Sequence, residues 1–224
     1  MNWIKKHSIE FQRDKLRILI SKVNWDYNKN YIKRVLEDIS KEANANGIEV
    51  AVYDYNGNIP KGFGFDGLNL QINNKWTGNM IQKKGDNDAV ISDLHSQRGA
   101  ALMITYSAIG QINVVITPVK AQDSIAEYRE LILYYTHDAT TITRKRIEKW
   151  VSYLFYYHRY TGVLHRRTWK DRLIVNWLKT RMYCIEYLNP KEKFTRYSGL
   201  YIPTLALVVS IIALIVSLLS IKGS

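Results

Sequence analysis

Acidic and histidine side chains are the residue types in this chain that could perform acid–base chemistry. Between residues 54 and 98 they are Asp54, Asp66, Asp86, Asp88, Asp93 and His95. Asp93 and His95 are two positions apart, close enough for a carboxylate to orient an imidazole. Because no G-x-S-x-G elbow and no evident nucleophile accompanies them, the pair is more typical of a structural contact. An enzyme that acts on lipids or on membrane-bound substrates is therefore kept as an alternative, and it requires several of these groups to converge in a pocket.

Other motifs in this region fail on their spacing or context. Residues 62–67 match G-x-G-x-x-G, but the segment that follows alternates like a strand and does not begin a helix for a pyrophosphate. A calcium-loop pattern begins at Asp54, yet its sixth and twelfth positions are Ile59 and Phe65 instead of Gly and Glu. The single cysteine, Cys184, and the five histidines show no metal-ligand spacing. We therefore expect no catalytic site, no cofactor and no metal.

The elements that would position these residues follow from hydrophobic periodicity. Strand-like spacing is clustered between stretches of helical spacing, without strand–helix alternation, and this predicts an α+β domain over residues 1–140, with N-terminal helices and a small antiparallel sheet. Asn46-Gly47 predicts the end of a helix, and residues 107–110 predict a hairpin. The predicted helices are 4–23, 32–43 and a third that begins at Asp123 or Ser124 and reaches Tyr135; the predicted strands are 48–53, 68–73, 89–91, 100–106 and 111–119.

The C-terminal part contains an uncharged run from Tyr197 to Ile221, bracketed by Arg196 and Lys222. A run of about 20 or more apolar residues predicts a membrane-spanning helix. The sequence thus predicts a tail-anchored, single-pass membrane protein in which only residues 222–224 follow the span. Since basic residues before a span stay on the cytoplasmic side, the N-terminal domain would lie in the cytoplasm, at the inner membrane in a bacterium.

Small residues within that run recur at alternating spacings of four and three. They are Ala206, Ser210, Ala213, Ser217 and Ser220. This spacing places all of them on one helical face, where small side chains let two helices approach closely. We therefore predict that the face is the seam of a homo-oligomer. The alternative is chance, because Ala and Ser insert easily into membranes.

Positive charge and aromatic rings are concentrated in residues 141–196, which we expect to form amphipathic juxtamembrane helices. Of the chain's formal net charge of +12, residues 144–196 contribute +10. Such a composition is typical of binding to an anionic lipid surface. Packed helices with a solvated basic face and a nucleic-acid tether are the alternatives, but no nucleic-acid recognition motif accompanies the charge. The predicted membrane-surface residues are Arg144, Lys145, Arg146, Lys149, Trp150, Arg159, Arg166, Arg167, Lys170, Arg172, Trp177, Lys179 and Arg181.

These patterns together predict a non-enzymatic membrane protein. Its α+β domain would sense a ligand or partner, while the basic helices and the span would dock on the membrane, oligomerise and perturb the bilayer. In layout alone, this arrangement resembles small bacterial membrane effectors that are partnered with a separate sensor, including those of phage defence. We keep two alternatives, the membrane-tethered enzyme and the membrane tether for nucleic acid.

Overall fold

The description that follows rests on a computed structural model of the chain. It covers residues 2–55, 66–84, 90–185, 203, 205–207, 209–210 and 212–213. Contacts divide the chain into two units, residues 1–179 and residues 180–224, and each is described by itself.

The first element is one continuous helix, α1, which runs from Asn2 to Ala45. The two helical stretches predicted from the sequence join because no Gly or Pro lies between them to interrupt the backbone. The predicted end at Asn46-Gly47 is confirmed. Gly47 adopts a left-handed φ of 78°, and the Ile48 amide donates to the Ala43 carbonyl at 2.9 Å. A positive φ favours glycine at this position because glycine has no Cβ.

The strands form two antiparallel sheets, as the predicted α+β class requires. The larger sheet has the order β1-β2-β5-β6-β8 and the smaller has the order β3-β4-β7. In β5 and β6 buried residues alternate with half-buried ones, so that one face of the larger sheet is covered more fully than the other. The strands are β1 Val50–Asp54, β2 Asp66–Ile72, β3 Lys75–Lys84, β4 Val90–Arg98, β5 Ala101–Tyr106, β6 Ile112–Thr117, β7 Lys120–Ala121 and β8 Leu131–Thr136.

The hydrophobic core lies against the more fully covered face of the larger sheet. On α1 the buried ring of Trp25 stacks on that of Tyr106 in β5, with the ring centroids 5.7 Å apart. The next helix, α2 (Arg144–Thr161), packs beside α1 and buries Ile147, Val151 and Leu154. Burying such side chains is the main favourable term in folding. The core therefore ties α1 and α2 to one sheet.

The helix predicted to begin at residue 123 is wrong. Residues 131–136 form β8, in which Leu131 and Leu133 are buried and Ile116 pairs with Leu131. The edge of β6 provides hydrogen-bonding partners for this segment, and alternate residues of the segment are buried. Both favour a strand, since strand preference depends strongly on the neighbours that a strand meets.

Strand β3 was not predicted either. Its hairpin with β4 contains Gly78 at a φ of 87°, and the register shifts between Trp76 and Met80.

Helices α2 and α3 (Trp169–Ile185) lie in the basic region, where the sequence predicts amphipathic helices. Helix α2 ends at Thr161, with the Gly162 amide donating to the His158 carbonyl at 2.8 Å. Thr168 caps α3. Its hydroxyl accepts from the Asp171 amide at 3.2 Å, and its own amide donates to Asp171 Oδ2 at 2.8 Å, which is a capping box.

The membrane-spanning prediction needs correction. Among the described residues, no helix is long and apolar enough to cross a membrane. The 44-residue α1 carries charges along its length, while α2 and α3 have 18 and 17 residues and are interrupted by charges. This finding overturns the tail-anchored, single-pass assignment, the membrane localisation with a cytoplasmic N-terminal domain, and the effector function built on them. Most of residues 197–221 lie outside the described part of the chain.

Candidate functional site

The most unusual surface of the chain is a row of large apolar side chains on the outside of α3. Trp169, Leu173 and Trp177 are four residues apart and are 66%, 59% and 49% exposed. Residues at this spacing lie on one helical face. The opposite face contains Asp171 and Val175, which are fully buried. Because isolated exposed apolar residues are ordinary but contiguous ones mark interaction surfaces, we treat this row, the α3 stripe, as a candidate binding face.

An ion pair between the half-buried Arg159 and the buried Asp171 sets which face of α3 meets α2. The carboxylate of Asp171 accepts from Nε and Nη2 of Arg159 on α2, at 3.0 and 2.8 Å. Burial raises the pKa of Asp171, but hydrogen bonds from Arg159 and Thr168 outweigh this effect, and the net pKa lies below the usual 3.8. The charged pair therefore holds the start of α3 against α2, and the stripe lies on the side of α3 opposite Asp171.

Basic residues flank the α3 stripe. Lys170 Nζ lies 5.8 Å from the ring centroid of Trp169, and Arg172 and Arg166 are exposed. In the part of the chain that the structure describes, neither Arg166 nor Arg172 makes an ion pair with a carboxylate. Arg167 is held differently, because its guanidinium lies 5.6 and 5.3 Å from the ring centroids of Tyr128 and Tyr160. Within the described residues, the stripe is thus bordered by positive charge that no carboxylate neutralises.

A shallow groove of about 410 Å³ lies beside the stripe, between α2 and α3. It is lined by Lys149, Tyr153, Leu173, Ile174 and Trp177. The rings of Tyr153 and Trp177 are 5.9 Å apart at their centroids. Apolar walls with one lysine on the border suit a ligand that is apolar in its body and negatively charged at one end.

The predicted membrane-surface residues on α2 do not form one face. Trp150 is buried, with its ring centroid 5.7 Å from that of Tyr134, so it belongs to the core. The guanidinium of Arg146 lies over the ring of Tyr134, 4.9 Å from its centroid. Arg144 donates to Glu148 at 3.0 Å, and Arg159 is committed to Asp171. Of the α2 cations, Lys145, Arg146 and Lys149 are exposed, and no carboxylate in the described part engages them.

Arg166 and Arg167 lie in the segment before α3, and the remaining predicted surface residues belong to α3. Lys170, Arg172 and Trp177 lie on or beside the stripe, whereas Lys179 is half-buried with its Nζ 5.0 Å from the Tyr160 ring centroid. Arg181 lies in the second unit. The predicted surface set omitted both Trp169 and Leu173, although the spacing of four from Trp169 to Leu173 to Trp177 was available as a signal.

Two of the carboxylates considered for catalysis do meet, but a lysine occupies the space between them. Lys29 Nζ on α1 donates to Asp54 Oδ1 at 2.6 Å and to Asp66 Oδ1 at 2.7 Å. Trp25 Nε1 donates to Asp66 Oδ2 at 2.8 Å, and Lys33 donates to Asp54 Oδ2 at 3.1 Å. With all four oxygens of Asp54 and Asp66 engaged, this cluster ties α1 to β1 and β2.

His95 does not pair with Asp93 as its spacing suggested. Its Nδ1 lies 2.5 Å from Oδ1 of Asp123, in the segment after β7. Hydrogen bonds from Thr77 and then from His95 lower the pKa of Asp123. The described residues contain no group of three or more side chains that could hold a metal ion. Asp86 and Asp88 lie outside the described residues.

The predicted seam of small residues is described only in part. Ala206, Ser210 and Ala213 are helical, and Ser210 Oγ donates to the Ala206 carbonyl at 2.8 Å within the same helix. Ser217 and Ser220 lie outside the described residues. Because this hydroxyl bonds within its own helix, the contact does not test the seam, which stays a prediction.

Comparison of the chain with protein-family models, with curated proteins and with solved structures finds no match. What the protein does must therefore be inferred from its own residues.

Proposed function

We propose that the protein binds peripherally to the surface of an anionic lipid bilayer through the α3 stripe and the cations beside it. The observation that carries the proposal is the exposed row of Trp169, Leu173 and Trp177 with Lys170 and Arg172 at its sides. An interfacial helix lies in the plane of the membrane with its apolar face among the headgroups and its basic residues near anionic lipid. Such binding requires no spanning helix.

The composition of the stripe favours lipid over nucleic acid. Tryptophan suits the headgroup layer because its ring is apolar while its N–H can meet water. Leu173, at the centre of the stripe, is aliphatic and offers no flat ring on which a base could stack. Tyr128 and Tyr160, which could stack with bases, are covered on one side by the guanidinium of Arg167. The geometry therefore supports insertion into an interface better than stacking.

One cation and one apolar side chain would contribute binding free energies of the same order. A basic residue near an anionic surface contributes about 1 kcal/mol, and a fully buried large apolar side chain contributes about 1.5–3 kcal/mol. Lys170 and Arg172 together would then change the affinity by about 30-fold, and Trp169 alone by about tenfold, since 1.4 kcal/mol corresponds to a factor of ten.

The test is co-sedimentation of the full chain with vesicles of phosphatidylcholine, with and without about one third phosphatidylserine. We expect binding to the anionic vesicles, a loss of about tenfold for Trp169→Ala, and a loss of about 30-fold for the double variant Lys170→Ala, Arg172→Ala. Because every variant keeps residues 180–224 unchanged, the differences in affinity report on the stripe and its cations.

Trp76 provides a matched control, because it is 68% exposed on β3, far from α3 in the chain. Trp76→Ala should bind vesicles as the unmodified chain does. Equal binding by Trp169→Ala and Trp76→Ala would exclude the stripe as the lipid-binding face. If Trp169→Ala instead loses affinity for a single-stranded oligonucleotide while vesicle binding stays constant, the face binds nucleic acid and the lipid proposal is wrong.

A further inference from the structure

Helix α1 exposes a second apolar row, on the side opposite the sheet. Ile9, Leu16, Ile20, Val23 and Tyr27 are between 44% and 83% exposed. Their successive spacings are seven, four, three and four, which are the spacings of the two core positions of a heptad repeat. At about 100° per residue, this row, the α1 stripe, lies on the far side of the helix from the residues that α1 buries against the sheet.

The N-terminal part of α1 is exposed to solvent. Residues 3–17 are exposed throughout, and the first buried residue of the helix is Ser21. A helical segment of about 12–15 residues is only marginally stable in water when no other element packs on it. A partner that covers the α1 stripe would supply the missing contacts.

We propose that this partner is the α1 stripe of a second copy of the chain, packed antiparallel about a two-fold axis between residues 21 and 22. Opposed residue numbers then add up to 43. Ile20 faces Val23 of the other copy, and Leu16 faces Tyr27, so the four central apolar side chains meet one another. Ile9, nearer the N-terminus, faces Arg34. A two-fold interface must be self-complementary, and this register satisfies that requirement. The two sheets lie on the outer sides of the helix pair, away from the contact.

Charge favours this register and a second copy over other arrangements. Lys5 lies in line with the α1 stripe, beyond its N-terminal end, and faces Asp38 of the other copy, and the symmetry produces this opposite-charge contact twice. Asp38 has only a long contact of 3.6 Å to the exposed Arg144, so it remains accessible. Arg13 faces the neutral Asn30. A parallel pair would instead place Arg13 beside Arg13, and like charges at an interface weaken it.

The oligomeric state of the full chain tests the proposal, measured by sedimentation velocity over a range of protein concentrations. We expect a dimer, and we expect Leu16→Glu with Val23→Glu to raise its dissociation constant by at least about 100-fold, roughly tenfold for each buried charge. Phe11→Glu is the matched control. Phe11 is 69% exposed on the same helix but points away from the α1 stripe, so this variant should remain dimeric.

A monomer at all concentrations would overturn the proposal, as would a dimer that Leu16→Glu with Val23→Glu leaves intact. A chain that is monomeric alone and takes up a different protein on this stripe would also overturn it. The outcome is independent of the lipid-binding proposal, because the α1 stripe and the α3 stripe share no residue.

Disulfide crosslinking tests the antiparallel register. In a Cys184→Ser background, the double variant Leu16→Cys, Tyr27→Cys should form a covalent dimer on oxidation. Neither single variant should do so, because two copies of residue 16 would lie about 16 Å apart along the helices, beyond the reach of a disulfide. Crosslinking of the Leu16→Cys single variant would show a parallel pair and would contradict the proposed register.

Discussion

His158 shows how a single buried side chain can make the stability of this protein depend on pH. It lies on α2, and its Nδ1 accepts from the Ala100 amide at 3.3 Å, so that nitrogen must be unprotonated. Burial, together with the positive charges of the neighbouring His165, Lys75 and Arg159, lowers the pKa of His158 from 6.5 to about 4. The same surroundings lower the pKa of His165. Both histidines favour the unprotonated form when folded.

We predict that the free energy of unfolding falls as the pH decreases from 6.5 toward 4. The unfolded chain binds a proton at residue 158 in this range while the folded chain does not, so the stabilisation is complete above pH 6.5 and is lost below it. The loss from this residue is on the order of 3 kcal/mol. Urea denaturation at several pH values measures it. His158→Asn, which keeps an acceptor for the Ala100 amide, should flatten the curve, and an unchanged slope would contradict the assignment.

At the scale of elements, the cluster of Lys29 with Asp54 and Asp66 decides where α1 lies on the sheet. Lys29 is 6% exposed in its side chain, whereas the two carboxylates are partly accessible. An ion pair of this kind adds little over a well-packed apolar contact, but the removal of one partner leaves buried charge unpaired. The cluster therefore matters chiefly for the register between α1, β1 and β2.

We predict that Lys29→Met destabilises the fold by about 3 kcal/mol, because it leaves two facing carboxylates without their shared cation. Thermal or urea unfolding measures the change. Lys33→Met is the control, since Lys33 is half-exposed and bonds only Asp54, and it should cost less than about 1 kcal/mol. Adding Asp54→Asn and Asp66→Asn to Lys29→Met should recover much of the loss. A triple variant as unstable as the single one would show that the lysine acts by packing.

At the scale of the whole molecule, the formal net charge of +12 favours association with anionic surfaces in general. The α3 stripe adds a contact that such attraction does not supply, because apolar burial is insensitive to salt screening while exposed charges are screened within about 10 Å at 0.1 M ionic strength. The two contributions can therefore be separated by ionic strength.

We predict that vesicle binding weakens as salt is raised but does not vanish. Between about 0.05 M and about 0.5 M NaCl the affinity of the full chain should fall by roughly tenfold or more, as the Debye length shortens. Lys170→Ala with Arg172→Ala should reduce the slope of this dependence, whereas Trp169→Ala should lower the affinity and leave the slope unchanged. Equal slopes in all three proteins would show that the cations beside α3 do not contact lipid.

The sequence by itself determined the α+β class, the two amphipathic helices of the basic region, most of the sheet strands and the end of α1 at Asn46-Gly47, because periodicity and glycine conformation are local properties. Only the tertiary structure decided that Leu131 and Leu133 lie in a strand, since the edge of β6 is the partner that makes it one. Tertiary contacts likewise decided that His95 pairs with Asp123, that Trp150 is buried in the core and that Leu173 is exposed. A sequence pattern shows which residues share a face, but which face is buried depends on the element packed against it.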